Sequence, residues 1–435
     1  MAVSSRAKKA LIAVGSLAGV AALLVGIGHW RAHDLMAGDV VWHAEVEQGS
    51  HESVVVNDRI YTYGDSLLTI RDLADGTTVA EENLDGTWAY VGDGGHVAVV
   101  SIGQITMLDR DGEQMWQRRF DDLHNPLAIS PDGALDTVVC ARKVCSTVRF
   151  DASGEETSAA VQRRSPDLQA PASIGHGTTD DSRVRRIPAF ATDLDPKTHT
   201  VREVRDGKPV GEPIALMDDH VAAQVGDLLV GVDRVDGTCT FTATRAGEPA
   251  WRTATACPDL GFPYVDVFTD RIYLTNRTAG AYDVVTTDLE GRKATSFSID
   301  AEPASDAERT DLAPTPDAVV LTLTDQIVAY SPTTGKKLWT EKLNRTSRAA
   351  LDKTTKIYPG VQVSGPIVDL YDNAPEPLAA LAIGRDVPSY THSFIDAASG
   401  EVSAKLAAPW GSVAHGLDDG RVLVVGSDDM WLVSP

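Results

Sequence analysis

Cysteine is scarce in this chain of 435 residues, whose four copies are Cys140, Cys145, Cys239 and Cys257. None lies near the apolar stretch that begins at residue 10, so a lipid-modified cysteine at the N-terminus is excluded. No two cysteines are adjacent in the sequence. Spacings of five and eighteen residues without a nearby His also disfavour a zinc site.

The sequence also lacks the short motifs of most enzyme active sites. It contains no G-x-S-x-G nucleophile elbow, no P-loop and no dinucleotide-binding fingerprint. The eleven His residues are scattered from His29 to His415, and the acidic stretches Asp109–Glu113 and Asp121–Asn125 do not match the twelve-residue calcium loop. Such acidic stretches are typical of turns. Because no motif of an active site or a metal site is present, we expect no catalytic residue, no cofactor and no metal ion.

Positive charge is the next shortage. The chain has 39 Lys and Arg against 62 Asp and Glu, which gives a net charge of −23. This surplus disfavours binding to nucleic acid, because proteins bind nucleic acid largely through Lys and Arg contacts to phosphates. The segment Arg185–Phe190 (RRIPAF) is a small basic islet in the acidic chain and does not change that expectation.

One long apolar run is present, close to the N-terminus. Residues 10–28 contain no charged residue and would form a helix about 28 Å long, enough to cross a bilayer once. Arg6, Lys8 and Lys9 precede it, and a basic flank indicates the cytoplasmic side. We therefore predict a cytoplasmic tail over 1–9, a transmembrane signal-anchor helix over 10–30, a linker over 31–37 and an extracytoplasmic domain over 38–435. A cleaved signal peptide is the alternative, although its apolar region is usually shorter.

An extracytoplasmic location permits disulfide bonds. Cys140 and Cys145 bracket one predicted hairpin, and Cys239 and Cys257 bracket another, which places each pair on adjacent strands. In an oxidising compartment two local disulfides are the natural interpretation. Four free buried thiols are the alternative.

A repeated phrase is the strongest feature of the sequence. A turn glycine followed by a predicted strand recurs at Gly38, Gly76, Gly112, Gly154, Gly207, Gly247, Gly291, Gly335 and Gly400. In four copies a Trp follows the glycine by four residues, which gives Trp42, Trp116, Trp251 and Trp339. Upstream of the glycines, apolar runs rich in β-branched residues alternate with Asp, Asn and Gly turns. This pattern predicts antiparallel strands.

Four-stranded units that repeat about every 40 to 45 residues are the signature of a β-propeller. We predict an all-β propeller of about eight four-stranded antiparallel blades, with a range of seven to nine, because the text from Gly154 to Gly207 and from Gly335 to Gly400 is atypical. The chain ends after two strands of a unit, and Gly38–Val46 supplies the missing outer strand. We expect this N-terminal strand to close the ring, and the four Trp to pack between blades.

The phrase Ala329–Trp339 (AYSPTTGKKLW), and less closely Phe394–Val402 (FIDAASGEV), resembles the repeat of pyrroloquinoline-quinone-type propellers. The resemblance implies a fold rather than one activity. That family includes quinone-dependent alcohol dehydrogenases, non-catalytic scaffolds similar to the outer-membrane assembly lipoprotein of Gram-negative bacteria, and extracellular sensor domains. The dehydrogenases of that family share a disulfide between two adjacent cysteines, and this sequence contains no adjacent cysteines. The resemblance therefore implies the non-catalytic branch, without the quinone.

These observations predict a non-catalytic binding or scaffold protein at the cell membrane, with the propeller on the extracytoplasmic side. Its partners would be the membrane, through the N-terminal helix, and a protein or another component of the cell envelope. The longest predicted loops, Gln162–Ser182 and Asp352–Pro377, are the first candidates for the binding face, since binding residues concentrate on loops. A quinone- or metal-dependent enzyme and a ligand-sensing ectodomain are the alternatives.

Overall fold

The computed structural model describes most of the chain after residue 39. The described residues are 40–46, 53–64, 67–83, 88–101, 103–120, 124–141, 144–162, 172–173, 184–195, 197–206, 208–217, 222–258, 264–268, 270–277, 280–300, 311–323, 326–343, 360–372, 390–408, 412–426 and 428–434. Every helix or strand in these residues is a β-strand, and the 37 strands form nine sheets, numbered in chain order.

The first strand and the first three sheets have the following bounds. The chain begins with β1 (Val40–Glu45). Sheet 1 contains β2 (Ser53–Val56), β3 (Arg59–Gly64), β4 (Leu67–Asp72) and β5 (Thr78–Asn83). Sheet 2 contains β6 (Trp88–Val91), β7 (Val97–Ser101), β8 (Gln104–Leu108) and β9 (Gln114–Arg119). Sheet 3 contains β10 (His124–Ile129), β11 (Leu135–Ala141), β12 (Val144–Phe150) and β13 (Glu156–Gln162).

Two short strands follow, and then the next three sheets. The short strands are β14 (Ala172–Ser173) and β15 (Val184–Arg186). Sheet 4 contains β16 (Ala191–Asp195), β17 (Thr200–Arg205) and β18 (Lys208–Ala215). Sheet 5 contains β19 (Ala222–Val225), β20 (Leu228–Val235), β21 (Thr238–Arg245) and β22 (Glu248–Ala256). Sheet 6 contains β23 (Tyr264–Val267), β24 (Arg271–Arg277), β25 (Ala281–Asp288) and β26 (Thr295–Asp300).

The last three sheets complete the chain. Sheet 7 contains β27 (Asp311–Pro314), β28 (Val319–Thr322), β29 (Gln326–Tyr330) and β30 (Lys337–Lys342). Sheet 8 contains β31 (Gly360–Ser364), β32 (Ile367–Asp372), β33 (Tyr390–Asp396) and β34 (Val402–Ala408). Sheet 9 contains β35 (Val413–Gly416), β36 (Val422–Val425), β37 (Asp429–Val433) and β1.

Burial along the strands sets the orientation of each sheet in a ring. The second strands, such as β36, are continuously apolar and buried, as expected for a strand covered on both faces. The fourth strands, such as β30, are mostly exposed and lie at the outer rim. The first strands therefore face the ring axis. Turns from first to second and from third to fourth strands lie at one end of the ring, which we call the turn face; the other connections define the loop face.

Nine apolar clusters hold the ring together, and each one joins a single pair of neighbouring sheets. The cluster between sheets 9 and 1 includes Leu423, Met430 and Ile60, so the ring is closed. As the sequence predicts, β1 completes the last sheet, pairing antiparallel with β37 from Val40 opposite Val433 to Glu45 opposite Asp429. The chain is therefore a nine-bladed β-propeller.

The nine blades lie at the upper limit of the predicted range of seven to nine, one more than the expected number of eight. The atypical text between Gly154 and Gly207 does contain a blade, sheet 4, but this sheet has only three strands in the described residues. The strand that precedes it in the chain, β15, pairs instead with β6 of sheet 2 in a parallel arrangement. The repeat glycine of this blade, Gly207, is present in the sequence, but β15 takes no part in the sheet, so the blade lacks the usual four-strand pattern.

Two further expectations concern the ends and the loops. Among the described residues no helix is long and apolar enough to span a membrane; the predicted helix 10–30 lies outside them, as do most of Gln162–Ser182. The second predicted loop, Asp352–Pro377, is wrong in part because it contains β31 and β32. The turn between these two strands contains Gly and Pro, which are typical of loops. The Val and Ile residues on either side of the turn belong to the first two strands of sheet 8.

Candidate functional site

The most irregular part of the ring is the segment Val184–Phe190, which we call the crossing segment. It begins with β15 on the axis side of sheet 2, where Val184 lies opposite Ala89, and it ends where β16 of sheet 4 begins. A second intrusion, β14, pairs in parallel with β19 of sheet 5. The chain thus adds its own strands to the inner edges of two blades, edges that would otherwise present unpaired backbone groups to the channel.

Hydrogen bonds fasten the crossing segment to three blades before it enters the fourth. Ile187 N donates to Val91 O of sheet 2 at 2.9 Å, and Pro188 O accepts from Ile129 N of sheet 3 at 3.0 Å. Gln224 of sheet 5 donates from Nε2 to Phe190 O at 2.9 Å. Hydrogen bonds therefore fix the crossing segment across the turn face, and we also refer to this segment as the strap.

A cavity of about 340 Å³ opens beside this strap. Its walls come from sheets 2 to 5 and from the crossing segment, and they consist of Asp93, Ser130, Pro131, Arg149, Ala189, Phe190, Val204, Arg205, Asp206, Gly226 and Asp227. Phe190 and Val204 are buried and give it an apolar floor. Charged side chains form the rest of the wall, so the cavity combines apolar and ionic surfaces, as ligand sites commonly do.

The cavity lies at a junction with few buried apolar side chains in the part of the chain that the structure describes. There, Ala128, Ala191 and Val204 are buried in the cluster that joins sheets 3 and 4. A polar pair takes the place of further apolar side chains: Arg149 Nη1 donates to Asp136 Oδ2 at 2.7 Å. The Asp136 side chain is 2% exposed and Arg149 is 18% exposed. Breaking such a pair from one side leaves an uncompensated buried charge.

Three more arginine–carboxylate pairs surround the cavity. Arg186 of the crossing segment contacts Asp93 Oδ1 through Nε and Nη2, both at 2.9 Å. Arg245 Nε lies 2.9 Å from Asp227 Oδ2. Arg205 pairs with Glu203, whose carboxylate also accepts a hydrogen bond from Gly247 N at 2.9 Å.

Asp206 is the carboxylate with the weakest pairing in this group. Its side chain is 89% exposed, and Arg149 Nε is 3.8 Å from Oδ1. Asp206 has a φ of 47°, the left-handed region that Asp tolerates at the tip of a two-residue Asp-Gly hairpin. The hairpin between β17 and β18 thus presents this carboxylate at the rim of the cavity.

The pKa values of two acids near the cavity are shifted in opposite directions. Burial raises the pKa of the Asp136 carboxyl to about 6, although the Arg149 guanidinium opposes this increase. The hydrogen bond from the Ser130 hydroxyl lowers the pKa of Asp132, which lies in the turn between β10 and β11. The Asp132 carboxyl is therefore ionised at neutral pH and adds negative charge to this part of the turn face.

The four predicted packing Trp residues all lie on outer strands against the turn glycine of the next blade. A Cβ atom added to each of these glycines would fall 2.5 to 2.6 Å from the indole ring; the pairs are Trp42 with Gly76, Trp116 with Gly154, Trp251 with Gly291 and Trp339 with Gly400. In three of the four, the indole Nε1 donates to a carbonyl of the same turn, at Leu73, Leu289 and Ala397. Each repeated phrase therefore covers the next one.

The predicted cysteine pairs differ in what the structure describes. Cys239 and Cys257 form a disulfide at the end of the β21–β22 hairpin, and both are buried. Cys140 lies directly opposite Cys145 in the β11–β12 register. The side chains of this second pair lie outside the described part, so their disulfide stays a prediction.

Sequence reasoning identified none of the cavity residues as a site. The crossing segment is the basic islet Arg185–Phe190, which is unusual in its charge alone. Asp206 precedes one of the repeat glycines, and Asp93 and Asp227 lie in turns before second strands. Each residue has an ordinary turn explanation, so only their approach from four blades reveals the cavity. Among the described residues, no group of three or more His, Cys, Asp or Glu side chains is arranged to hold a metal ion.

No family model matches the chain, and no curated protein sequence matches it. Many chains of solved structures match it. BamB from Moraxella catarrhalis is 13% identical with a TM-score of 0.42, over 92% of this chain and 99% of that one. The WD40 domain of SCAP from fission yeast is 10% identical with a TM-score of 0.40, over 92% and 96%. Apo AztD from Citrobacter koseri is 11% identical with a TM-score of 0.38, over 80% and 94%. The strand pairing above, not these similarities, establishes the fold.

Proposed function

We propose that this chain is a non-catalytic binding protein of the cell envelope, tethered to the membrane by residues 10–30 with the propeller on the extracytoplasmic side. It binds its partner on the turn face, at the cavity beside the crossing segment. One observation carries this proposal: a strap bonded to sheets 2, 3 and 5 forms one wall of a cavity that four blades surround. Walls fixed before binding reduce the conformational entropy lost when a partner binds.

The proposed face differs from the one that the loop lengths predicted. The connections expected to bind, Gln162–Ser182 and Asp352–Pro377, fall between β13 and β15, between β30 and β31 and between β32 and β33. The described ends of these strands lie on the loop face. The cavity lies on the opposite face. Short, hydrogen-bonded turns hold its charged residues, and rigid support of this kind favours a defined binding geometry.

A ligand-sensing ectodomain is the second candidate, and the size of the cavity favours it. A volume of about 340 Å³ is at the lower end of the range for small-molecule sites. The two functions share the cavity and differ in the occupant. An envelope protein would insert part of its surface, whereas a sensed ligand would bind free.

Site-specific photo-crosslinking in the cells that produce the protein tests the main proposal. A photoreactive residue replaces Asp206 at the cavity rim of the full chain, and a matched control replaces Val402, which is 51% exposed on the outer strand β34. We expect a discrete adduct from position 206 that position 402 does not give. The adduct should disappear when Asp227→Arg places a bulky cation in the cavity wall. Equal adducts from both positions, or an adduct that survives Asp227→Arg, would contradict binding at this cavity.

A further inference from the structure

The charges around the cavity do not balance. The ion pairs around the cavity contain five carboxylates, those of Asp93, Asp136, Glu203, Asp206 and Asp227, and four guanidinium groups, those of Arg149, Arg186, Arg205 and Arg245. Each guanidinium group has a carboxylate within hydrogen-bond distance. The remaining negative charge is that of Asp206, which is also the most exposed member.

Unsatisfied acceptors behind the cavity wall add to this negative potential. Asp136 Oδ1 and Gln224 Oε1 are buried without a hydrogen-bond partner. Both residues are at most 3% exposed, and both hold wall residues, since Asp136 binds Arg149 and Gln224 binds Phe190. Oxygen atoms in a region of low dielectric exert a stronger field than exposed ones, so they favour a positive group in the cavity.

The rest of the cavity suits a short aliphatic chain. Phe190 and Val204 form an apolar floor beneath the carboxylate rim. Lysine and arginine side chains complement these surfaces, because each has an apolar stem that ends in a cationic group. The volume of about 340 Å³ accommodates one such group and not a folded element of a partner.

We propose that the cavity binds an alkylammonium or alkylguanidinium group, with its stem on Phe190 and Val204 and its charge among Asp206, Asp227 and Asp93. The proposal rests on the binding role of the cavity put forward above and specifies the chemistry of the bound group. The group is either a free small amine or the side chain of a Lys or Arg residue that a partner protein presents.

Titration calorimetry of the purified full chain tests the charge and the size of the group. The probes are 1,4-diaminobutane, N-acetyl-lysine amide and N-acetyl-arginine amide, with glutarate as an anionic control of similar length. We expect saturable binding of at least one cation and none of glutarate. Binding of glutarate without binding of any cation would overturn the proposal, since it would assign the site to Arg149 and Arg205.

Charge-neutral variants localise the binding. Asp206→Asn keeps a residue that tolerates the left-handed backbone and should weaken cation binding about threefold, and the double variant with Asp227→Asn about tenfold. Glu290→Gln is the matched control, because Glu290 is an acid in the third turn of sheet 6 that pairs with Arg292. Circular dichroism verifies that the variants are folded. Equal weakening by Glu290→Gln and Asp206→Asn would indicate attraction to the acidic surface as a whole and would overturn the site.

Competition against the crosslinked partner separates this proposal from the binding function. If N-acetyl-lysine amide or N-acetyl-arginine amide binds and prevents the adduct at position 206, the group comes from a partner protein. If only 1,4-diaminobutane binds and no adduct forms, the group comes from a free amine; the partner function then fails and the cation site stands. An adduct at position 206 together with no cation binding overturns the cation site and leaves the partner function standing.

Discussion

Sheets 1 and 6 carry the same tetrapeptide, Asp-Arg-Ile-Tyr, at the turn into the second strand, at Asp58–Tyr61 and Asp270–Tyr273. In both sheets the Tyr hydroxyl donates to the first turn of the next blade, to Gly95 O at 2.9 Å and to Thr315 O at 2.8 Å. Burial raises the pKa of both phenols, so each remains a donor. The two motifs thus share a hydrogen bond from the tyrosine hydroxyl to the neighbouring blade, which we call the tyrosine bolt.

The arginines of the two motifs have different surroundings. Arg59 contacts three carboxylates, with Nη1 at 2.8 Å from Asp72 and 3.2 Å from Asp58, and Nη2 at 3.1 Å from Asp111 of sheet 2. Nε and Nη1 of Arg271 are buried without a hydrogen-bond partner.

Two neighbouring residues explain the difference. Asp288 occupies the register position opposite Arg271 that Asp72 occupies opposite Arg59. Its Oδ2 lies 3.6 Å from Arg292 Nε, whereas Asp72 Oδ2 binds Arg59 Nη1. The third turn of sheet 7, Ser331–Gly335, carries no acid where sheet 2 has Asp111. Nε is buried without a hydrogen-bond partner in both arginines. The two motifs differ in the other guanidinium nitrogens, which contact three carboxylates in sheet 1 but leave Nη1 without a partner in sheet 6, because the partners come from elsewhere in the chain.

The largest expected effect concerns the indole that covers each of these blades. Trp42→Ala exposes the turn of sheet 1 and Trp251→Ala that of sheet 6, and each should lower the free energy of unfolding by about 3 kcal/mol. Trp42 lies on the strand that closes the ring, so hydrogen exchange should rise in sheets 9 and 1 for Trp42→Ala and in sheets 5 and 6 for Trp251→Ala. Denaturant melts with exchange measurements check both. Unchanged stability in either variant would contradict the role of the indole.

Replacing the arginines should separate the two blades. Arg59→Met leaves three carboxylates without their shared cation and should cost about 1 to 2 kcal/mol, after allowance for the exposure of the acids. Arg271→Met removes two unsatisfied buried nitrogens and should change stability by less than about 0.5 kcal/mol or increase it. Urea denaturation of both variants measures the difference. Equal losses would show that the unsatisfied state of Arg271 has no energetic consequence.

The tyrosine bolts should behave alike. Tyr61→Phe and Tyr273→Phe each remove one buried hydrogen bond and leave a carbonyl without its donor, which should cost about 1 kcal/mol. Thermal unfolding of the two variants and of the doubly substituted chain tests this. Because the sites are on separate blades, the losses should add. A loss at only one position would mean that the bolt is not a shared feature.

The smallest effect has opposite signs in the two blades. Burial raises the pKa of Asp270, and Asp317 and Asp418 add to the increase while Arg271 opposes it. A raised pKa in the folded state means that this acid favours folding at low pH and loses that contribution as the pH rises through its folded pKa. Asp270→Asn should therefore raise the melting temperature at pH 7, and the gain should vanish as the pH is lowered. Asp58→Asn, which removes a partner of Arg59 and Arg110, should lower it.

Much of the ring could be predicted from short local patterns in the sequence. The turn glycines and the Trp four residues later mark the outer strand of each phrase, and period-two runs mark the strands. The closing role of Gly38–Val46 followed from a strand missing at the other end. The nine turn glycines correspond to the nine blades. The sequence between Gly154 and Gly207 is nevertheless atypical, and nothing in it shows that β15 pairs with β6, almost a hundred residues earlier.

The cavity was harder to predict than the ring. Asp93, Arg149, Asp206 and Asp227 each lie in or beside a turn where a polar residue is expected, so none is unusual alone. What makes them a site is the polar junction between sheets 3 and 4 and the strap that crosses it. Both depend on residues far apart in the chain, and no short motif encodes such an approach.

Local patterns in the chain were enough to establish the all-β character, the repeat and the closure of the ring, because strand periodicity, turn chemistry and indole packing act over a few residues or between consecutive repeats. The pairing of β15 with sheet 2, the strap across the turn face and the charged cavity emerge only in the folded ring. These depend on which inner edge a strand pairs with and on which carboxylate a guanidinium group reaches, and the geometry of the closed ring settles such choices.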